Sequence, residues 1–202
     1  MPRRPVLIFA ALVLLAALGL GSFALMSGRL HGPQSSGAAL VGGPFSLLDQ
    51  DGRRVTEKDF RGKYMLVFFG YTYCPDVCPT ELQVMTAALD QLGRDADRIQ
   101  PVFVSIDPAR DTPEVLKAYV ASFSPRLMGL TGTPGEIAVI ARAYRVFYAK
   151  ASNSSSSTDY LMDHSSIIYL MGPDGSFVRH MAYTTDATKL AADLKDALGT
   201  SP

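Results

Sequence analysis

The stretch "GYTYCPDVCPTEL", Gly70 to Leu82, holds both cysteines of the chain, Cys74 and Cys78, with three residues between them. Two thiols at that spacing can form a disulfide, act as a dithiol that exchanges with other disulfides, or present two soft ligands to a metal ion. Thiolate sulfur favours Cu(I), and an added imidazole suits Cu(II), which heads the divalent affinity series. The chain has three histidines, His31, His164 and His180. Whether one of them can join the sulfurs depends on the elements that carry them.

"KYMLVFFGYT" (Lys63–Thr72) contains five consecutive apolar residues, Met65 to Phe69, as expected of a central strand covered on both faces. After the cysteines, Leu82, Met85, Leu89 and Leu92 follow helical spacing and stop at Gly93. The thiols therefore lie where a buried strand ends and a helix begins. Free N–H groups and the positive end of the helix dipole favour a thiolate there, so both cysteines are expected to be more acidic than a free one. "IQPVFVSIDP" (Ile99–Pro108) reads as a second buried strand. The helix after it takes Asp111 as its N-cap, with Pro113 in the first turn and Glu114 placed for a capping box. A third helical stretch covers Thr133–Phe147, and the polar run "SNSSSST" (Ser152–Thr158) is a loop. A hairpin turning at Gly172 to Gly175 and a closing helix, "DATKLAADLKDAL", end the chain; an earlier hairpin, "FSLLDQDGRRVT", turns at Asp51-Gly52.

This order predicts an α/β, thioredoxin-like fold, with the N-terminal hairpin and the helix before the Ser-rich loop as additions. In such folds the loop before the last hairpin lies beside the cysteine loop, and thioredoxins place a cis-proline in it. Asp163-His164-Ser165 occupies the region here. His164 is thus the candidate third donor, with Asp163 or another nearby carbonyl or carboxylate orienting its ring. Asp107, at the end of the second strand, is a candidate support for the site, since strand ends carry sites in open α/β sheets. Tyr71 and Tyr73 flank the cysteine loop and either pack or cover a bound ion. His31 and His180 read as ordinary surface or hydrogen-bonded residues.

The N-terminus sets the compartment. Residues 1–4 carry Arg3 and Arg4, and the run from Pro5 to Met26 has no charged residue. At ~1.5 Å per residue it forms roughly 33 Å of helix, enough to cross a hydrocarbon core of about 30 Å. It is read as a retained single-pass transmembrane anchor over 5–26, with a cleavable signal peptide as the alternative. A linker rich in Gly and Ser spans 27–40, and residues 41–202 suit one domain. Positive residues stay in the cytoplasm, so the domain is expected on the periplasmic or other extracytoplasmic side of the inner membrane, or at the mitochondrial equivalent. The 19 basic and 19 acidic residues cancel without a basic stripe, which argues against a nucleic-acid partner.

Together with "DPARDTPE" (Asp107–Glu114) and "DYLMDHSS" (Asp159–Ser166), the cysteine segment resembles the Sco/SenC family of membrane-anchored copper proteins, from about Phe45 to the C-terminus. The resemblance implies copper held by Cys74, Cys78 and His164. It also implies a role in assembling the dinuclear copper centre of cytochrome c oxidase subunit II, by inserting copper, reducing the target's cysteines, or both. A copper donor protein and a thiol reductant are the further partners expected of such a role. Bound copper and a Cys74–Cys78 disulfide exclude one another.

Rival readings remain. A thiol-disulfide oxidoreductase would use the same acidic pair, but the usual Cys-x-x-Cys is missing. "VCPTE" (Val77–Glu81) looks like the peroxidatic segment of peroxiredoxins, yet Pro75 stands where that family has threonine. A purely structural disulfide would close too short a loop to stabilise the fold much. Zinc, with water as a fourth ligand, also suits the donors.

Overall fold

The computed structural model describes residues 41–151, 160–183 and 186–199. The apolar run over 5–26, the linker over 27–40 with His31, and the Ser-rich stretch lie outside them. Among the described residues no helix is long and apolar enough to cross a membrane.

The first hairpin joins β1 (Ser46–Asp49) to β2 (Arg54–Thr56). Gly52 takes the left-handed conformation its turn requires (φ 77°), and the Asp49 carboxylate accepts the N–H groups of Asp51 and Arg53, both at 2.9 Å. The apolar run after it forms β3 (Tyr64–Gly70), buried along its whole length. It pairs in parallel with β4 (Ile99–Ser105), and β4 in parallel with β5 (Met128–Thr131). β6 (Tyr148–Lys150) and β7 (Met162–His164) form a separate two-stranded ribbon. β8 (Ile167–Met171) and β9 (Phe177–Ala182) make the last hairpin, with β8 antiparallel to β3. The main sheet has the order β2-β1-β5-β4-β3-β8-β9. The N-terminal hairpin is thus an extension of that sheet, joined through β1 to β5.

Four α-helices are described: α1 (Val77–Leu92), α2 (Pro113–Ala121), α3 (Pro134–Ala143) and α4 (Ala187–Gly199). Successive strand residues point to opposite faces. Phe68 meets Phe103 on one face, where Phe103 also meets Tyr119 of α2. Phe69 meets Tyr144, at the end of α3, and Tyr169 on the other. α4 packs beside α1. Thr133 and Glu136 form a capping box at the start of α3.

The start of α2 differs from the sequence reading. Thr112, immediately before Pro113, is the N-cap, its hydroxyl accepting the N–H of Val115. Asp111 points inward instead and is completely buried. Its carboxylate accepts the Thr72 N–H (3.0 Å), the Thr72 hydroxyl (2.6 Å) and the Ser105 hydroxyl (2.6 Å). A residue read as a local cap therefore ties the cysteine loop to the end of β4.

Gly70 ends β3 under the first turn of α1. A Cβ there would lie 2.7 Å from Cys78 Sγ and 2.9 Å from Phe103 Cε2. Gly70→Ala should consequently destabilise the fold by about 1–3 kcal/mol through overpacking, read as a lower urea midpoint. An unchanged midpoint would show that the helix start yields freely and that the close approach sets nothing.

Candidate metal centre

Cys74 lies in the turn between β3 and α1, and Cys78 is the second residue of α1. The helix does not reach back to Cys74, so the two sulfurs do not share a helix face as i, i+4 neighbours. Cys74 Sγ instead accepts the N–H of Cys78 at 3.3 Å, along with that of Asp76. This is the place a capping oxygen would take, and the Asp76 side chain makes no cap bond. Cys74 is half-buried and Cys78 has no exposed surface.

His164 ends β7, and its Nε2 lies 3.4 Å from Cys78 Sγ. The donor atoms of Cys74, Cys78 and His164 all lie within 4.8 Å of one another, and among the described residues they are the one group that could hold a metal ion. The imidazole is held edge-on against Tyr71 and Phe68, with centroids 6.0 and 6.1 Å away. Tyr71 is itself buried, and its hydroxyl accepts the Met162 N–H at 3.1 Å, fastening β7 to the end of β3. His164 Nδ1 lies 3.2 Å from the Ser165 carbonyl oxygen. A carbonyl only accepts, so this contact places the ring proton on Nδ1 and leaves the Nε2 lone pair facing the sulfurs.

Three sequence-based expectations are altered. Asp163 does not orient the ring: alternation along β7 turns its side chain to the exposed face, and the Ser165 carbonyl takes that role. Asp107 is buried behind the loop, but its carboxylate accepts from Arg110 Nε and from the Tyr160 hydroxyl (2.7 Å), neither of them a donor residue. The two thiols are not both acidified. Hydrogen bonding from the Cys78 thiol holds Cys74 well below a free thiol against the opposing effect of burial, with help from the backbone N–H groups of Cys78 and Asp76. Cys78, which donates to Cys74 and is buried, is pushed up. The pair shares one proton, carried by the inner sulfur. His180 stacks on Phe177 in β9, outside the cluster. Tyr73 is exposed, with Arg110 over its ring.

Gly70 and Asp111 support the site without having been read as doing so, whereas the Ser165 carbonyl is the nearby carbonyl expected as the alternative to Asp163. Of the first two, Gly70 alone left a trace in the sequence, as a glycine ending an apolar strand.

A family model described as SCO1/SenC matches residues 33–199. The chain belongs to the SCO1/SenC family. It is 48% identical over 161 residues to the mitochondrial Protein SCO1 homolog 1 of Arabidopsis thaliana, an overlap covering 79% of this chain and 47% of that one. Among solved structures it is similar to Bradyrhizobium japonicum ScoI, described with copper bound, at 48% identity and a TM-score of 0.71 over 78% of this chain and 99% of that one. BsSco is more distant, at 25% identity and a TM-score of 0.63 over 80% and 95% of the two chains. It is described as having a disulfide switch and as a member of the Sco family of cytochrome c oxidase assembly proteins. The SCO1/SenC chain spans about half the length of the curated relatives it matches.

The unequal thiols give a pH signature. A depressed pKa keeps Cys74 ionised from its folded value up to that of a free thiol, and the thiolate is lost only as pH falls through the folded value. In the reduced, metal-free chain, iodoacetamide at about pH 5, far below the ~8.5 of a free cysteine, should label Cys74 and spare Cys78, as read by peptide mass mapping. Labelling that begins only at alkaline pH, or that reaches Cys78 first, contradicts the assignment.

Proposed function

We propose that this chain is a copper metallochaperone that carries one ion between Cys74, Cys78 and His164 and hands it to the dinuclear copper centre of cytochrome c oxidase subunit II. The carrying observation is the convergence of two sulfurs and one imidazole nitrogen within 4.8 Å. Two soft donors suit Cu(I) and the nitrogen adds affinity for Cu(II), so one site accepts both oxidation states. Three ligands leave a coordination position open, which ligand exchange with a partner requires. The copper described in the 48%-identical relative and the assembly role described for the family of BsSco support the same reading. The half-buried Cys74 is the sulfur a partner can reach, while Cys78 is fully buried.

In this reading residues 5–26 anchor the chain in the inner membrane and the domain works on its periplasmic side, or at the mitochondrial equivalent. A copper donor protein loads it and a thiol reductant keeps the pair open.

The inequality of the thiols favours a second activity on the same target, disulfide reduction. The Cys74 thiolate attacks one sulfur of the target disulfide, forming a mixed disulfide and releasing the other sulfur as a thiolate. Cys78 then passes its proton to His164 Nε2 and displaces the second target sulfur. The chain is left as a Cys74–Cys78 disulfide and the target gains two electrons.

Anaerobic titration of the reduced full chain should give one copper per chain. Cys74→Ala and Cys78→Ala should each abolish binding, and His164→Ala should weaken Cu(II) more than Cu(I), because imidazole is the harder ligand. Wild-type affinity in either cysteine variant would refute the site.

A further inference from the structure

The donor residue His164 sits on the two-stranded β6–β7 ribbon, which shares no ladder with the main sheet. Such a ribbon is marginally stable by itself in water. Chain continuity into β8 holds one end of β7. The Met162 N–H to Tyr71 bond holds its start. Just ahead of β7 stands Tyr160, buried and enclosed by charge. The Arg110 guanidinium lies 3.7 Å from the centroid of the Tyr160 ring, and Lys150 Nζ lies 3.9 Å from it. Arg110 Nη1 donates to the Tyr160 carbonyl at 2.9 Å, while Arg110 Nε and the Tyr160 hydroxyl both donate to the Asp107 carboxylate. The same guanidinium lies 4.7 Å from the centroid of Tyr73, next to Cys74, and 5.7 Å from that of Tyr71.

We infer that Arg110 is a positioning residue: by clamping Tyr160 to Asp107 and to the tyrosines of the cysteine loop, it holds β7 so that His164 stays within reach of the two sulfurs. One planar group makes the connection because its fork bonds a backbone carbonyl and a carboxylate while its faces take aromatic rings. The side chain is only 13% exposed, and its Nη2 is buried with no hydrogen-bond partner among the described residues. Ring faces therefore hold part of this cation, and they belong to the two segments that must be kept together. The cysteines do not depend on the clamp, since Cys78 is fixed by Gly70 and α1, and Cys74 by the helix N–H groups.

The inference rests on the copper-carrier reading for its metal readout, and hydrogen exchange of the metal-free chain tests it apart from that reading. Arg110→Met keeps the aliphatic stem and removes charge and fork; Arg110→Lys keeps the charge alone. In the full chain without metal, Arg110→Met should speed amide exchange in Met162–His164 while β3 and β4 keep their protection. With metal, Cu(II) affinity should fall by about 10–100-fold, the usual range for groups that hold a ligand in place, with Cu(I) much less affected. Arg110→Lys should restore neither property fully. Equal losses for Cu(I) and Cu(II), loss of protection throughout the fold, or unchanged exchange in β7 would each overturn the clamp. Absence of copper binding by the wild type would overturn the carrier reading alone and leave the exchange result to decide the clamp.

Discussion

The site is built around one sulfur that has nowhere else to go. Cys78 Sγ is sealed between the end of the central strand and the first turn of α1, in space that exists only because residue 70 lacks a side chain. Close-packed interiors do not deform gradually, so the core itself fixes this donor. The other groups are brought to it: Cys74 by two backbone N–H groups at the helix start, and His164 by a strand fastened through Tyr71. The Asp111 carboxylate joins Thr72 to Ser105, so the loop and the strand end behind it cannot separate without exposing buried donors.

This construction separates the two cysteines by role. The inner sulfur keeps the shared proton and stays with the imidazole; the outer one is ionised and accessible. For a metal carrier that is a fixed wall and an exchangeable entry. For a reductant it is an attacking thiolate backed by a resolving thiol. The same physical asymmetry serves either chemistry, so copper transfer and thiol reduction are compatible tasks for one fold.

Much of this was legible in the chain. The apolar run of β3, the helix stopping at Gly93 and both hairpin turns follow from periodicity and glycine placement, and the thioredoxin-like order brought His164 to the cysteines. β5, β6 and β7 were missed because they have only three or four residues, too few for alternation to register. Asp111 was misplaced because a carboxylate before Thr-Pro resembles a cap; only the fold reveals that Thr112 already fills that position. Asp163 was misjudged for a similar reason. Once His164 lies on a strand rather than in a loop, its neighbour must face the other way. The opposite shifts of the two thiols also depend on burial, which spacing does not encode.

In the proposed carrier one ion contacts both sulfurs and the distal imidazole together. X-ray absorption at the copper edge of the loaded full chain tests it most directly. The expected result is a coordination shell of two sulfurs and at least one nitrogen, with the imidazole scattering lost in His164→Ala and both sulfurs kept. A shell of sulfur alone, or imidazole scattering that persists in the variant, would contradict it.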